Sequence, residues 1–186
     1  MLLRAQDCIV VMIDHQEKLM PSMMNVQQVL ANSLAILKAT DLFKIPVITT
    51  EHYPDKIGKT ISDLYAYRGE VIEKKTFSAA KEHGFIQKLV EISQHTKRTH
   101  LLFIGCETHV CVLQSLLGIH EQNHYQCYLV VDACGSRKSI DKEMALRRAS
   151  QAGVTLLSTE MVLFEWLESG DNPFFKPIIQ DIKQLT

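Results

Sequence analysis

The sequence predicts an α/β fold, a three-layer α/β/α, Rossmann-like domain built on a mostly parallel six-stranded sheet. Three observations lead there. Short apolar runs rich in β-branched residues recur along the chain. Segments with apolar residues at helical spacing lie between most of them. Strand and helix alternate from end to end, the order that gives a parallel sheet with helices on both faces.

The first strand is "CIVVMID" (8–14), a continuous run of the kind buried on both faces of a parallel sheet. A helix follows over 24–43, with Val26, Val29, Leu30, Leu34 and Leu37 on one side. "PVITT" (46–50) is the second strand, and Pro46 stands at its start, where a missing N–H does no harm. "EVIEK" (70–74) is the third. A helix over 84–95 leads to the fourth strand, "THLLFIG" (99–105), and a further helix spans 108–122. The fifth strand is "QCYLVVDA" (126–133), followed by a helix over 141–153 that Gly153 ends. A sixth strand (154–159), a helix (159–169) and a short helix after Pro177 complete the chain.

No composition shift, repeat or low-complexity segment divides the sequence, so residues 1–186 read as a single domain. Hydrophobic residues make up 46% and charged residues 22%, which is globular composition. A net charge of −1 gives no pull toward nucleic acid or an anionic membrane surface. No apolar run reaches the ~20 residues of a spanning helix. Too few residues precede the first strand for a signal peptide, and five cysteines without CxxC spacing suggest free thiols in a reducing, cytoplasmic setting. Zinc-ligand spacing is missing as well.

Ligands of open α/β sheets bind beyond the carboxyl ends of the strands. Asp14, Glu51, Lys74, Gly105 and Asp132 all fall at those predicted ends, and the long irregular stretch 51–69 overhangs the same edge. Cys111 stands near the start of the helix that follows, three residues after Thr108, a candidate N-cap. Singly, each has an ordinary reading: Asp14 a capping carboxylate, Lys74 a solvated lysine, Cys111 a buried thiol. Together they place an acid, an amine and a thiol at one edge. A thiol nucleophile needs a base and a stabilising cation, and Asp14 and Lys74 supply both. A helix start and an ammonium both favour the thiolate, so a lowered thiol pKa is expected. Backbone N–H groups of the 106–111 turn are available to an oxyanion.

The chain resembles the isochorismatase-like cysteine hydrolases over nearly its whole length. The resemblance rests on "VVMIDHQ" with Asp14 and Gln16, "KKTFS" with Lys74, Phe77 and Ser78, "GCETHVCV" with Cys111, and "VVDACGSR" (130–137). Thr50–Pro54 also matches a segment of the isochorismatase domain-containing subgroup. The resemblance implies a Cys111–Asp14–Lys74 triad cleaving a C–N bond of a small amide, ureide or carbamoyl compound through a thioester, without a cofactor. It implies a cis peptide at Cys106–Glu107 that turns the N–H groups of Glu107 and Cys111 toward the oxyanion. It also implies a homo-oligomer, dimer or larger. Metal-dependent relatives carry an Asp-x-His pair where this chain has Glu51, His52 and Tyr53, so no metal is expected. Gln16, His52, Tyr53, Phe77 and His109 are the substrate-binding candidates, with Tyr65 and Tyr67 as further pocket candidates. Arg137 is expected to hold its turn through backbone carbonyls, a substrate carboxylate being the other option. Cys134 is expected in a partly exposed loop. A scaffold that kept the fold and lost turnover is the alternative function.

Overall fold

The computed structural model describes residues 2–185. Six strands form one all-parallel sheet: β1 (Cys8–Ile13), β2 (Val47–His52), β3 (Glu70–Lys74), β4 (His100–Cys106), β5 (Gln126–Gly135) and β6 (Thr155–Leu157). Their order across the sheet is β3-β2-β1-β4-β5-β6. The chain therefore builds outward from β1 to one edge, then returns to lay β4 on the other side of β1. That reversal puts the topological switch point, where ligands of such sheets bind, between the carboxyl ends of β1 and β4.

The alternation of side chains along β1 and β4 divides the interior into two cores. Cys8, Val10, Met12, Leu102 and Ile104 face one way and pack under α1 (Val26–Phe43) with residues of the later helices Thr159–Leu167 and Phe175–Ile182. Ile9, Val11, Ile13, Leu101 and Phe103 face the other way, toward Phe85, Leu89, Leu116, Ile119, Ala145 and Ala149. Those residues come from α3 (His83–Thr96), α4 (Leu113–His120) and α5 (Ser139–Gln151), α2 being a single turn at Pro54–Ile57. The remaining two helices are thus α6 (Thr159–Leu167) and α7 (Phe175–Ile182). Among the described residues no helix is long and apolar enough to cross a membrane.

Several expectations are corrected. The 51–69 stretch is not wholly irregular: β2 continues to His52, α2 follows, and a 3-10 helix covers Ser62–Tyr67. The helix expected over 108–122 opens as a π-helical turn, Thr108–Val112, before α4. Thr108 does not cap it, because its Oγ1 donates to the Gly135 carbonyl at 2.9 Å. The last helix starts before Pro177 rather than after it. Proline is tolerated there because first-turn N–H groups lack intrahelical partners in any case. β5 runs past residue 133. A register shift against β4 separates the pairs Phe103–Leu129 and Gly105–Cys134, and the extra β5 residues keep the strand paired through Gly135. Cys134 is therefore fully buried, not in an exposed loop. Asp132 lies within that irregularity instead of at the strand's end, and its Oδ1 accepts hydrogen bonds from the N–H and Oγ1 of Thr159 at the start of α6.

Candidate active site

Asp14 follows the last residue of β1 with a left-handed backbone, φ 50°, and its N–H still bonds the Thr50 carbonyl of the neighbouring strand at 3.1 Å. Its carboxylate lies inside the molecule. Thr50 Oγ1 donates to Oδ1 at 2.6 Å, and the Lys74 ammonium contacts Oδ2 at 2.7 Å with both side chains fully buried. Lys74 ends β3, in register with His52, and also donates to the Thr76 carbonyl at 3.2 Å. A buried ion pair of this kind persists where added hydrogen bonds offset its desolvation, and Thr50 and the Thr76 carbonyl supply two. Sequence reading missed Thr50. The signal for it is the parallel register of Ile13 with Thr50, which sets Thr50 beside the residue after β1.

The Cys111 thiol lies close enough to Asp14 and Lys74 for both to act on its ionisation. It is reached through Gly105, where β4 comes so close to β1 that an added Cβ would lie 2.1 Å from the Ile13 carbonyl oxygen. The Cys106–Glu107 peptide that follows is cis. The expected lowering of the Cys111 pKa is overturned. Burial pushes the thiol up to about 12, the Asp14 carboxylate pushes the same way, and the Lys74 ammonium opposes them without prevailing. The group therefore rests as a thiol at neutral pH, next to a carboxylate able to take its proton.

Other candidates divide into two sets. His52, Tyr53 and Phe77 come together: the His52 ring lies 4.9 Å from that of Tyr53 and 5.4 Å from that of Phe77, and Phe77 is largely exposed. They form an aromatic wall beside the end of β3. Burial first and the Lys74 ammonium second hold the His52 pKa below its usual value. Gln16, His109, Tyr65 and Tyr67 are engaged elsewhere. The Gln16 amide donates to the carbonyls of His52 and Gly58 at 3.0 and 2.5 Å and accepts from the His52 N–H at 2.7 Å, so it braces the loop. His109 Nδ1 lies 3.1 Å from Ser136 Oγ, with Asp141 at 3.9 Å from its other nitrogen. Tyr65 stacks with Arg68, and Tyr67 packs at the margin of the core under α1. Arg137 bonds no carbonyl among the described contacts; its Nε pairs with the Glu107 carboxylate. Cys106, buried, lies 3.4 Å from the Met20 sulfur. Glu51 Oε1 accepts from Thr60 N–H and Oγ1 at 2.8 and 2.7 Å. Among the described residues no cluster of three or more His, Cys, Asp or Glu is arranged to hold a metal ion.

A family model described as the isochorismatase domain matches residues 8–161, a span that holds Asp14, Lys74 and Cys111. The chain belongs to the isochorismatase family. Within it, isochorismatase domain-containing protein 2A of Mus musculus is 31% identical over 179 residues, covering 96% of this chain and 84% of the relative. Isochorismatase family protein 1A of Dictyostelium discoideum is 32% identical over 171 residues, covering 89% and 81%. Among solved structures, the MAR1 ribonuclease of Caenorhabditis elegans superposes with a TM-score of 0.87 at 26% identity over 98% of this chain and 93% of that one. YcaC of Escherichia coli, described as an octameric hydrolase of unknown specificity, superposes with a TM-score of 0.84 at 23% identity over 100% and 98%. The last likeness concerns the fold, which is that of isochorismatase-family hydrolases.

Proposed function

We propose that this isochorismatase-family protein is a cysteine hydrolase cleaving a C–N bond of a small amide, ureide or carbamoyl compound. The reading rests on one observation: a thiol adjoining a fully buried Lys74–Asp14 ion pair of 2.7 Å at the sheet's switch point. Asp14 takes the Cys111 proton as sulfur bonds to the carbonyl carbon, and the carbonyl π pair moves onto oxygen. The N–H groups of Glu107 and Cys111 receive that oxyanion. When it collapses, the C–N bond breaks and Asp14 hands its proton to the departing nitrogen, leaving a thioester. Water then attacks the thioester, gives a proton to Asp14, and the acid leaves as the thiolate regains that proton. Lys74 stabilises the thiolate and, through its 2.7 Å ion pair, holds Asp14 oriented toward sulfur. His52, Tyr53 and Phe77 form the apolar side of the substrate site. No cofactor enters the scheme, and a homo-oligomer is the working form; a monomer at every concentration in sedimentation would overturn that part.

Ammonia release from a panel of small amides, ureides and carbamoyl compounds tests the reading. One member should be hydrolysed by the wild type, and Cys111→Ala and Asp14→Asn should each lose at least about a thousandfold in rate. Full activity in either variant would sink the mechanism. The C. elegans neighbour's name adds one competing outcome. RNA cleavage that survives Cys111→Ala would place the chemistry elsewhere.

A further inference from the structure

We infer that Arg137, acting through the Glu107 carboxylate, is a positioning residue that holds the Glu107 N–H as an oxyanion donor. The inference rests on the thiol-hydrolase reading above and adds to it a residue outside the Cys111–Asp14–Lys74 set.

Each remaining polar group of Glu107 is fixed. Its carbonyl accepts from the N–H groups of Val110 at 3.0 Å and Val112 at 3.3 Å, which ties it to the turn bearing Cys111. Its carboxylate accepts from the Arg137 N–H at 3.0 Å and from Arg137 Nε at 3.2 and 3.1 Å. Thr108 bonds the Gly135 carbonyl one residue further on. The turn is thereby fastened both to its own helix and to the end of β5. The burial of the two partners is unequal: the Glu107 side chain is 8% exposed and that of Arg137 62%. A carboxylate kept from water is costly without a cation, whereas a mostly solvated guanidinium has little need of the pair for itself. Glu107 is therefore the dependent member, and Arg137 reaches in from solvent to satisfy it.

Two consequences bear on the oxyanion. The clamp fixes the Cα of Glu107, from which the peptide carrying its N–H departs. Its positive charge also offsets a buried negative charge next to the place where a second one develops. Without Arg137, Glu107 would turn toward water and draw its backbone along, or stay and repel the oxyanion. Either path weakens stabilisation of the tetrahedral species and leaves the thiol itself untouched.

Two reagents separate these effects. Iodoacetamide alkylates the thiol: the S–C bond forms, iodide leaves, the proton passes to Asp14, and no oxyanion appears. Benzaldehyde adds reversibly to the thiol. Sulfur bonds to the aldehyde carbon, the carbonyl pair goes to oxygen, and the thiol proton ends there, giving a hemithioacetal held in the oxyanion site. Cys111 alkylation rates come from peptide mass spectrometry, and benzaldehyde affinity from its protection of Cys111 against alkylation. In Arg137→Ala the alkylation rate should stay within about twofold of wild type. Its benzaldehyde dissociation constant should rise about tenfold, a fraction of the loss seen when such a donor is removed outright. Arg137→Lys keeps the charge and should recover part of the affinity; the wild-type-to-Lys comparison decides the matter if Arg137→Ala fails to fold. Unchanged affinity in every variant, or affinity and alkylation falling in parallel, would overturn the inference. Wild-type Cys111 that reacts with neither reagent would overturn the hydrolase reading and this inference with it. Alkylation without benzaldehyde protection in the wild type would overturn the oxyanion site alone.

Discussion

On the proposed reading, Cys111 would draw its reactivity from position and a neighbouring carboxylate, not from an acidic thiol. Burial holds its pKa at about 12, burial does the same for Cys8, Cys127 and Cys134, and it also pushes Cys106 well above the usual thiol range. Acidity therefore does not select among the five thiols. Access and proton acceptance do. Cys111 is 6% exposed and Cys127 4%, whereas Cys8, Cys106 and Cys134 are fully buried. Cys111 is the one of the five that lies beside the buried Asp14–Lys74 ion pair. Limiting iodoacetamide should thus label Cys111 first, with Cys127 the competitor. Asp14→Asn should slow that labelling by removing the proton acceptor, and Lys74→Met should slow it by removing the cation that opposes burial. Peptide mass spectrometry decides the order. Cys127 labelled ahead of Cys111 would mean that the pair beneath Cys111 does not activate it.

At the scale of elements, the junction of β1 and β4 carries the candidate site. Gly105 has φ +140°, and its missing Cβ lets β4 pass 2.1 Å, by the position that atom would take, from the Ile13 carbonyl oxygen. Gly105→Ala adds that atom against backbone and forces the strands apart. It should cost about 3 kcal/mol or more and lower the thermal midpoint by many degrees. A midpoint within about 2 °C of wild type would show that the junction yields freely. The same elements show what can be read from sequence. β1 and β4 are legible because burial on both faces demands an unbroken apolar run, and such runs end where the strand ends. Asp14 and the turn before Cys111 follow from those ends, and Lys74 follows from the end of β3. Features belonging to a relation between distant segments are not legible. The β4–β5 register shift buries Cys134 and turns Asp132 to the start of α6, yet no residue of "VVDACGSR" announces it. The Glu107–Arg137 pair, thirty positions apart, is invisible for the same reason. The π-helical start at Thr108–Val112 has no sequence signature either, since its residues suit an α-helix equally well.

Across the whole molecule, ionisable groups are packed into the two cores and at the sheet edge between them, so folding is linked to pH on both sides of neutrality. His15, next to Asp14, is fully buried, with Nε2 2.9 Å from Ser33 Oγ beneath α1. Burial lowers its pKa from 6.5 to about 4. Between those values the unfolded chain binds the proton and the folded chain does not, so stability is present above pH 6.5 and is lost as pH falls toward 4. The full loss is roughly 3 kcal/mol. His52 shifts in the same direction and steepens that limb. The buried thiols act on the other side. Their pKa values rise from 9.0 to about 12, so the folded chain keeps protons that the unfolded chain releases, and stability is lost as pH rises through that interval. Urea midpoints should therefore form a plateau between about pH 6.5 and 9 with a fall on each side. In His15→Gln the acid limb above about pH 5.5, where ordinary carboxylates are still about nine-tenths ionised, should lose most of its slope, even if the plateau itself sits lower. An acid limb of unchanged slope in that variant would mean that His15 is protonated without opening the fold. A flat profile from pH 9 to 11 would mean that water reaches the thiols far more readily than their burial implies.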